Sequence, residues 1–202
     1  MAAVMLAAMV VSTFTPLVSE PAHPAWWVER GVKNTSPALN KGVANIGQLK
    51  HMASQAHAEL ESLLPGGAGF DLPFGQPPAS PDATWYEDQK KVLQLGVLKH
   101  VAKDFYDRLN GISPAWVESQ LQANGLTTLD THYFQDADTG YFYPWNPLTP
   151  VAENFKVATV GQLKLVFCLR FRENTDGDAF PDLWEQIIIN ADPNDGITTV
   201  TD

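Results

Sequence analysis

Ala44-Asn45-Ile46-Gly47-Gln48-Leu49-Lys50 is the stretch that decides the fold of this 202-residue chain, because related sequence occurs two more times. Its counterparts are Leu93-Gln94-Leu95-Gly96-Val97-Leu98-Lys99 and Ala158-Thr159-Val160-Gly161-Gln162-Leu163-Lys164. Glycine, leucine and lysine keep the same relative places in all three stretches. Internal self-similarity of this kind indicates a repeated structural unit, so we expect three related local structures.

Two of the three stretches carry the signal of a helix start. Asn45 and Thr159 have side chains that accept hydrogen bonds from the free N–H groups of a first helical turn. Gln48 and Gln162 stand three residues later, where a capping box places its reciprocal partner. The sequence therefore predicts that helices begin directly after Asn45 and Thr159.

The second stretch lacks this signal, because Gln94 and Val97 replace the capping pair. A helix that begins near residues 85–87 is therefore expected to continue through Gly96 to Leu109. Asn110 and Gly111 follow as a stop signal.

Apolar residues follow each start at helical spacing and predict a shared buried face. These residues are Leu49, Met52, Ala53, Ala56 and Leu60 in the first copy, Leu98, Val101, Ala102, Phe105 and Leu109 in the second, and Leu163, Val166 and Phe167 in the third. Arg170 interrupts the third stripe, so the last turn there faces differently or ends early. We predict helices over residues 46–64, 115–123 and 160–172, with a breaker-rich surface connection between residues 65 and 81.

Composition favours a folded protein and excludes some functions. Hydrophobic residues make up 45% of the chain, which is enough to bury a core. The net charge of −10 is concentrated in the last thirty residues, which contain eight acidic residues and no Lys or Arg. No basic footprint for nucleic acid or for an anionic membrane is present.

The first eleven residues are almost wholly apolar and resemble the central region of a secretory signal. The run is too short to span a bilayer. We expect residues 1–23 to be a signal peptide and the chain to be secreted or displayed at the cell surface. A buried N-terminal helix is the alternative.

The twelve residues 174–185 have the oxygen pattern of an EF-hand-like calcium loop. Oxygen-bearing side chains stand at loop positions 1, 3, 5, 9 and 12, and a main-chain carbonyl stands at position 7. These predicted ligands are Asn174, Asp176, Asp178, Asp182 and Glu185, with the carbonyl of Phe180. Because a hard cation takes six to eight oxygens, this spacing predicts a Ca²⁺ site in which Asp182 acts directly or through water.

Two departures from the pattern predict weak binding. Asn174 removes one charge from position 1, and Ala179 stands at position 6, where glycine normally permits a positive φ. A side chain in that conformation costs on the order of 1 kcal/mol. We expect a dissociation constant of roughly 10⁻⁴ to 10⁻³ M. A solvated acidic turn followed by a helix is the alternative.

Residues 126–145 are rich in aromatic side chains, and a short hairpin or an irregular aromatic loop fits equally. Exposed aromatic rings suggest a carbohydrate- or cell-wall-binding module as an alternative function. The candidate residues are Trp27, Trp85, Tyr133, Tyr141 and Trp145.

Evidence for an enzyme is sparse. The sequence has no Gly-x-Ser-x-Gly, no His-Glu-x-x-His and no phosphate-binding glycine loop. A secreted hydrolase would depend on carboxylates that meet in space, for which the candidates are Glu59, Glu61, Asp104 and Asp107. Their helical surroundings favour solvated faces instead. Lys50, Lys99 and Lys164 are likewise expected to be exposed first-turn residues.

Several stretches together resemble secreted Gly-Gln-Leu-Lys helical-repeat proteins of verrucomicrobial and related bacteria. The stretches that carry the resemblance are Pro24-Ala25-Trp26-Trp27, Asn45-Ile46-Gly47-Gln48-Leu49-Lys50, Leu64-Pro65-Gly66-Gly67-Ala68-Gly69, Val101-Ala102-Lys103-Asp104-Phe105-Tyr106-Asp107-Arg108-Leu109 and Tyr143-Pro144-Trp145. In these proteins the helical units precede a loop of the thrombospondin type-3 or EF-hand-like kind. The resemblance implies the N-terminal region of a larger exported or cell-surface protein, with the acidic loop as a calcium-stabilised joint to later domains. Separately, we expect a surface glycan or a protein as partner.

We therefore expect a mainly α protein, namely an irregular helical-repeat bundle with long loops, a short aromatic hairpin and a C-terminal EF-hand-like acidic loop. The helical-repeat domain is expected over residues 24–172 and the calcium loop over 173–190. Residues 191–202 are expected to be a linker or the start of a further module. The expected function is that of a non-catalytic, exported structural or attachment module.

Overall fold

The computed structural model describes residues 40–75, 80, 82–126, 133–145 and 151–191. The expected signal peptide, Trp27 and the segment 192–202 lie outside these residues. The described chain is mainly helical with a small antiparallel sheet. Its elements are α1 (Ile46–Leu63), α2 (Ala83–Lys90), α3 (Leu95–Ile112), α4 (Pro114–Ala123), β1 (Phe134–Gln135), β2 (Phe142–Tyr143), α5 (Val151–Asn154), α6 (Val160–Val166) and α7 (Asp182–Ala191).

Both predicted capping boxes are confirmed. At the start of α1 the Asn45 side chain accepts from the Gln48 N–H at 2.9 Å, and the Gln48 side chain accepts from the Asn45 N–H at 2.9 Å. Thr159 and Gln162 make the same reciprocal pair at the start of α6. Four N–H groups that have no partner inside the helices are satisfied in this way.

The prediction of one continuous helix through Gly96 is wrong. The chain leaves α2 after Lys90 and begins α3 at Leu95, although Gln94 makes no side-chain cap. The Leu95 N–H instead donates to the carbonyl of Lys156 at 2.9 Å. Backbone pairing with a distant segment therefore determines where α3 begins. Capping side chains in the local sequence do not reveal this start.

The last predicted helix is also shorter than expected. It ends at Val166 rather than near residue 172, and Phe167 is its C-cap. The residues that follow leave the helical path but remain buried, among them Cys168, Leu169 and Phe171. The early end agrees with the interruption of the apolar stripe at Arg170.

The three related stretches meet through their backbones. Ala44, Leu93 and Ala158, the residues that precede the three N-caps, are each 0% exposed. The Leu93 N–H donates to Ala44, the Ala44 N–H donates to Ala158, and the Ala158 N–H donates to Leu93, at 2.8–2.9 Å. This closed circuit of three hydrogen bonds is called the junction below. It satisfies buried polar groups that would otherwise be costly.

The repeated glycine follows from close packing around the junction. A Cβ added to Gly96 would lie 2.8 Å from the Cβ of Asn154, and one added to Gly47 would lie 3.0 Å from the Cβ of Gln89. A Cβ on Gly161 would lie 3.0 Å from the carbonyl oxygen of Asn40. Each glycine therefore lies against a segment of another copy, where there is little or no space for a side chain.

The expectation that the repeated lysines are exposed is wrong for Lys164, which is 7% exposed. Its ammonium group donates to the side chain of Asn40 at 3.0 Å. Lys99 is half-buried and donates to the side chain of Asn154 at 3.5 Å. Burial lowers the pKa of both lysines. These side chains therefore bridge copies rather than form a solvated row.

The core forms around α3, which packs against α1, α4, α5, α7 and β2. The predicted apolar stripes of all three copies are buried, as are Trp116, Val117 and Leu121 of α4. The predicted buried apolar face is thus confirmed in each of the three stretches. Of the helices in the described ranges, none combines the length and the apolarity that crossing a membrane requires.

Residues 133–145, the part of the aromatic segment described after Leu126, form a short hairpin, which is one of the two predicted alternatives. Phe134 pairs with Tyr143, and Gln135 pairs with Phe142. The buried side chain of Asn110 accepts from the Phe142 N–H and donates to the Phe142 carbonyl, each at 2.9 Å. One amide from α3 thus satisfies the outer edge of β2 and fixes the hairpin on the helical core.

Candidate cation site

Three carboxylates converge in the loop that leads into α7. Asp176 and Asp178 lie on the loop, and Glu185 lies in the first turn of the helix. One oxygen from each carboxylate lies within 4.8 Å of the other two. The arrangement is one that could hold a metal ion.

Local hydrogen bonds shape the loop from its alternating polar residues. The Asn174 side chain accepts from the Gly177 N–H at 2.6 Å, the Asp176 side chain accepts from the Asp178 N–H at 3.0 Å, and the Asp178 side chain accepts from the Phe180 N–H at 2.5 Å. Each aspartate uses Oδ1 for its bond, so its second oxygen is not needed for the turn. These short polar side chains, spaced two residues apart, therefore bond to the backbone of their own loop and curve it.

The backbone angle that needs glycine belongs to Gly177, at loop position 4, with φ of 79°. The EF-hand pattern predicts a positive φ at loop position 6, where Ala179 stands. Gly177 has no atom within 4 Å of an added Cβ, so the constraint there is conformational rather than steric. At position 4 the loop therefore has the residue type that this left-handed conformation favours.

Asp182 does not belong to the group of three converging carboxylates and bonds to Thr175 instead. Its two oxygens accept from the N–H and from the hydroxyl of Thr175, each at 2.7 Å, and the residue is 5% exposed. Its own N–H donates to the carbonyl of Glu173 at 2.8 Å. In this conformation Asp182 fastens the entrance of the loop to the start of α7, rather than joining the cluster.

Two other predicted ligands have distinct surroundings. The Asn174 side chain, besides accepting from Gly177, donates to the carbonyl of Asp178 at 2.9 Å. Phe180, whose carbonyl was the predicted ligand at position 7, is 45% exposed and its ring stacks on Trp184 at 5.7 Å. Of the four predicted carboxylate ligands, the structure thus brings three together, namely Asp176, Asp178 and Glu185.

Glu185 is the electrostatically unusual member of the cluster. Its Oε2 is buried and has no hydrogen-bond partner in the described part of the chain. Desolvation raises the pKa of Glu185, and the charges of Asp176, Asp178 and Asp182 raise it further. A carboxylate oxygen without a donor and next to like charges is unfavourable, and a bound cation would relieve both effects.

The helix that carries Glu185 is fastened to the ends of two others. Trp184 donates its indole N–H to the carbonyl of Leu63 at the end of α1, and Asn190 donates to the carbonyl of Ile112 at the end of α3. Leu183 beside them is fully buried. Carbonyls in the last turn of a helix lack donors within the helix. Side chains of α7 supply donors to these two carbonyls. Sequence reasoning missed this role, because nothing in the local spacing of Trp184 and Asn190 reveals a distant carbonyl.

The four described members of the aromatic set proposed for glycan binding do not form one exposed surface. Tyr133 is buried and donates its hydroxyl to Glu118, and Trp85 is half-buried. Tyr141 and Trp145 are the two members of the set that line a common cleft. The set therefore separates into structural residues and one pair near a cavity.

Three of the four carboxylates considered for hydrolysis have structural partners. Glu59 lies 3.5 Å from the guanidinium of Arg172, and Glu61 accepts from the Ala68 N–H at 3.1 Å. Asp107 accepts from Tyr143 at 2.5 Å. These contacts account for the positions of the three side chains without invoking a reaction.

The fold and the site define a mainly helical protein with a candidate cation-binding loop. Comparison of the chain with protein-family models, curated proteins and solved structures gave no match.

Proposed function

We propose that residues 174–185 bind Ca²⁺ weakly and that the ion holds α7 against the helical body of a non-catalytic structural or attachment module. The observation that carries the proposal is the convergence of Asp176, Asp178 and Glu185, with one Glu185 oxygen that is buried and has no hydrogen-bond partner among the described residues. A cation would neutralise the mutual repulsion of the three carboxylates and take the place of the missing donor.

The chemistry of the loop favours calcium over zinc. Its side chains offer oxygen donors, whereas zinc sites are built largely from His and Cys, and neither residue occurs between positions 174 and 185. Two oxygens bound to one calcium ion at about 2.4 Å lie at most about 5 Å apart, which the 4.8 Å spread of the carboxylates satisfies. Asn174, the Phe180 carbonyl, Asp182 through water, and solvent would complete the six to eight ligands.

The position of α7 gives the ion a structural consequence. Because Trp184 and Asn190 satisfy carbonyls at the ends of α1 and α3, an ion that fixes the first turn of α7 also strengthens these two contacts. Three related helical segments closed by such a joint suit a secreted or cell-surface module that presents further domains. Calcium in the roughly millimolar range, as extracellular modules use it, matches the expected affinity.

The test compares two double variants of equal charge. Isothermal calorimetry, with terbium luminescence as a second readout, is applied to the wild type, to Asp176→Ala with Asp178→Ala, and to a control with Asp71→Ala and Asp138→Ala. The control aspartates are exposed and lie outside the loop. We expect saturable Ca²⁺ binding at roughly 10⁻⁴ to 10⁻³ M in the wild type and the control, and none in the loop variant.

The same samples report the structural effect. At ten times the dissociation constant, Ca²⁺ should raise the free energy of unfolding by about 1.4 kcal/mol, and the loop variant should show no increase. Absence of saturable binding at millimolar Ca²⁺, or equal binding by both double variants, would exclude the proposal.

A further inference from the structure

A cleft that α3 and the aromatic hairpin line together has the lining of a small-ligand site. It has a volume of about 400 Å³ and lies between α3 and the aromatic hairpin. Its lining combines two carboxylates, one ammonium group and aromatic rings, contributed by Lys103, Asp107, Asp136, Tyr141, Tyr143 and Trp145. Sites for small molecules typically measure about 300–1,000 Å³, so the cleft has room for one or two sugar-sized rings.

The helix side of the cleft is held in place by its own contacts. Asp107 accepts from the Tyr143 hydroxyl at 2.5 Å on one oxygen and from the Lys103 ammonium on the other. The same ammonium lies 5.7 Å from the centre of the Tyr143 ring. Asn110 fixes the backbone of β2 just before Tyr143. These polar groups are therefore positioned before any ligand arrives, which lowers the entropy cost of binding.

The hairpin side offers a second ionised acceptor. Asp136 accepts from the N–H groups of Thr139 and Asp138 at 3.1 and 2.9 Å, both through Oδ1. These bonds lower the pKa of Asp136, so its carboxylate is charged at neutral pH. Because the turn uses Oδ1, the other oxygen is not required to hold the hairpin and can accept from a ligand.

Charge and shape narrow the class of ligand. Two carboxylates against one ammonium give the cleft a net negative charge, which disfavours an anion. Lys103 already lies over the Tyr143 ring, where a cationic ligand would otherwise be attracted. A neutral ring with several hydroxyl groups can donate to the carboxylates and accept from the ammonium. Its C–H face can also pack on the aromatic side chains.

We propose that this cleft binds a neutral saccharide ring, with Asp136 as the hydroxyl acceptor and Tyr141 and Trp145 as the apolar contacts. The site is separate from the acidic loop and none of its lining residues is a proposed calcium ligand. Binding in the cleft therefore stands or fails independently of the calcium proposal.

The experiment is a ¹H–¹⁵N NMR titration of the full chain in EDTA, which removes any contribution from the loop. The probes are the methyl glycosides of glucose, galactose, mannose and N-acetylglucosamine, with acetate and tetramethylammonium as charged competitors for the cleft. Asp136→Asn and Tyr141→Ala test the site, and Phe155→Ala is the control. Phe155 is a 68% exposed aromatic residue that does not line the cleft.

We expect at least one methyl glycoside to shift cleft resonances saturably. Its dissociation constant should rise about tenfold or more, equivalent to about 1.4 kcal/mol, in both cleft variants and should be unchanged in the Phe155 control. Asp136→Asn keeps the size of the side chain, so it remains informative if Tyr141→Ala unfolds. No saturable shift with any glycoside, stronger binding of acetate or tetramethylammonium, or equal weakening by Phe155→Ala would overturn the proposal.

Discussion

The junction and the acidic loop differ in whether their buried polar groups find partners within the described chain. At the junction, the backbones of Ala44, Leu93 and Ala158 complete one another's hydrogen bonds in a closed circuit inside the chain. In the loop, three carboxylates face one another and a buried oxygen of Glu185 has no partner among the described residues. The first region is complete without any other molecule, whereas the second has the electrostatics of a site that a cation would complete.

The two regions also hold opposite ends of the same helices. The junction joins the N-terminal ends of α1, α3 and α6, and α7 satisfies carbonyls at the C-terminal ends of α1 and α3. A change at the junction should therefore destabilise the whole body, while a change in the loop should act mainly through α7. The predictions below test this difference.

The largest effect is expected at the junction from Gly96→Ala. The added Cβ would lie 2.8 Å from the Cβ of Asn154 and 3.2 Å from its carbonyl oxygen, so two segments must move apart. Overpacking of this kind typically costs about 1–3 kcal/mol, which exceeds the roughly 0.5–1 kcal/mol that alanine gains over glycine in a helix. Urea unfolding should show a net loss of about 1–2 kcal/mol.

Gly111→Ala is the matched control, because Gly111 lies in the same helix. A Cβ there would lie 3.6 Å from the Tyr141 hydroxyl, which is an ordinary contact. This variant should be neutral or more stable than the wild type by up to about 1 kcal/mol. If Gly96→Ala were equally stabilising, close approach at the junction would not be the reason for the repeated glycine.

How far the sequence predicted the structure depends on the range of the interactions involved. The capping pairs Asn45–Gln48 and Thr159–Gln162 act over three residues, and the apolar stripes act within one helix. Both were readable from spacing alone. The start of α3 was not, because it depends on the carbonyl of Lys156, some sixty residues away in the chain.

The candidate site shows the same division. Oxygen spacing predicted that Asp176, Asp178 and Glu185 converge, since all three belong to one twelve-residue loop. It did not predict that Thr175 would occupy both oxygens of Asp182. Nor did it locate the cleft beside Asp136, whose lining comes from a helix and a hairpin that only tertiary packing brings together.

A smaller effect is expected in the loop from Gly177→Ala. Gly177 has φ of 79°, so a side chain there costs about 1 kcal/mol or more. If the loop must keep this conformation to bind Ca²⁺, the dissociation constant should rise about fivefold, which corresponds to about 1 kcal/mol. The dissociation constant of Gly177→Asn should lie between those of the wild type and Gly177→Ala, because Asn tolerates this conformation better than Ala. Calorimetry measures all three affinities.

Gly66→Ala separates backbone strain from cation binding. Gly66 has nearly the same φ, 78°, and likewise no atom within 4 Å of an added Cβ, but it lies in the connection after α1. This variant should lower stability by a similar amount while it leaves the affinity for Ca²⁺ unchanged. Equal loss of affinity in Gly66→Ala and Gly177→Ala would mean that the loop conformation is not specifically required.

The smallest effect is a pH dependence of stability in the metal-free protein. The pKa of Glu185 is raised in the folded state by burial and by the neighbouring aspartates, so the folded state holds this proton more tightly than the unfolded state. The contribution of Glu185 to the free energy of unfolding therefore increases as the pH falls through the raised pKa. It reaches its full value below the pKa of the unfolded state, about 4.3. With Ca²⁺ present the sign reverses, because protons compete with the ion for the same oxygens. Urea unfolding between neutral pH and pH 4, in EDTA and in Ca²⁺, should show both trends in the wild type. The difference in the free energy of unfolding between wild type and Glu185→Gln separates both trends from the effects of other titrating groups. If this free energy changes with pH in parallel for the two proteins, Glu185 is not the group responsible.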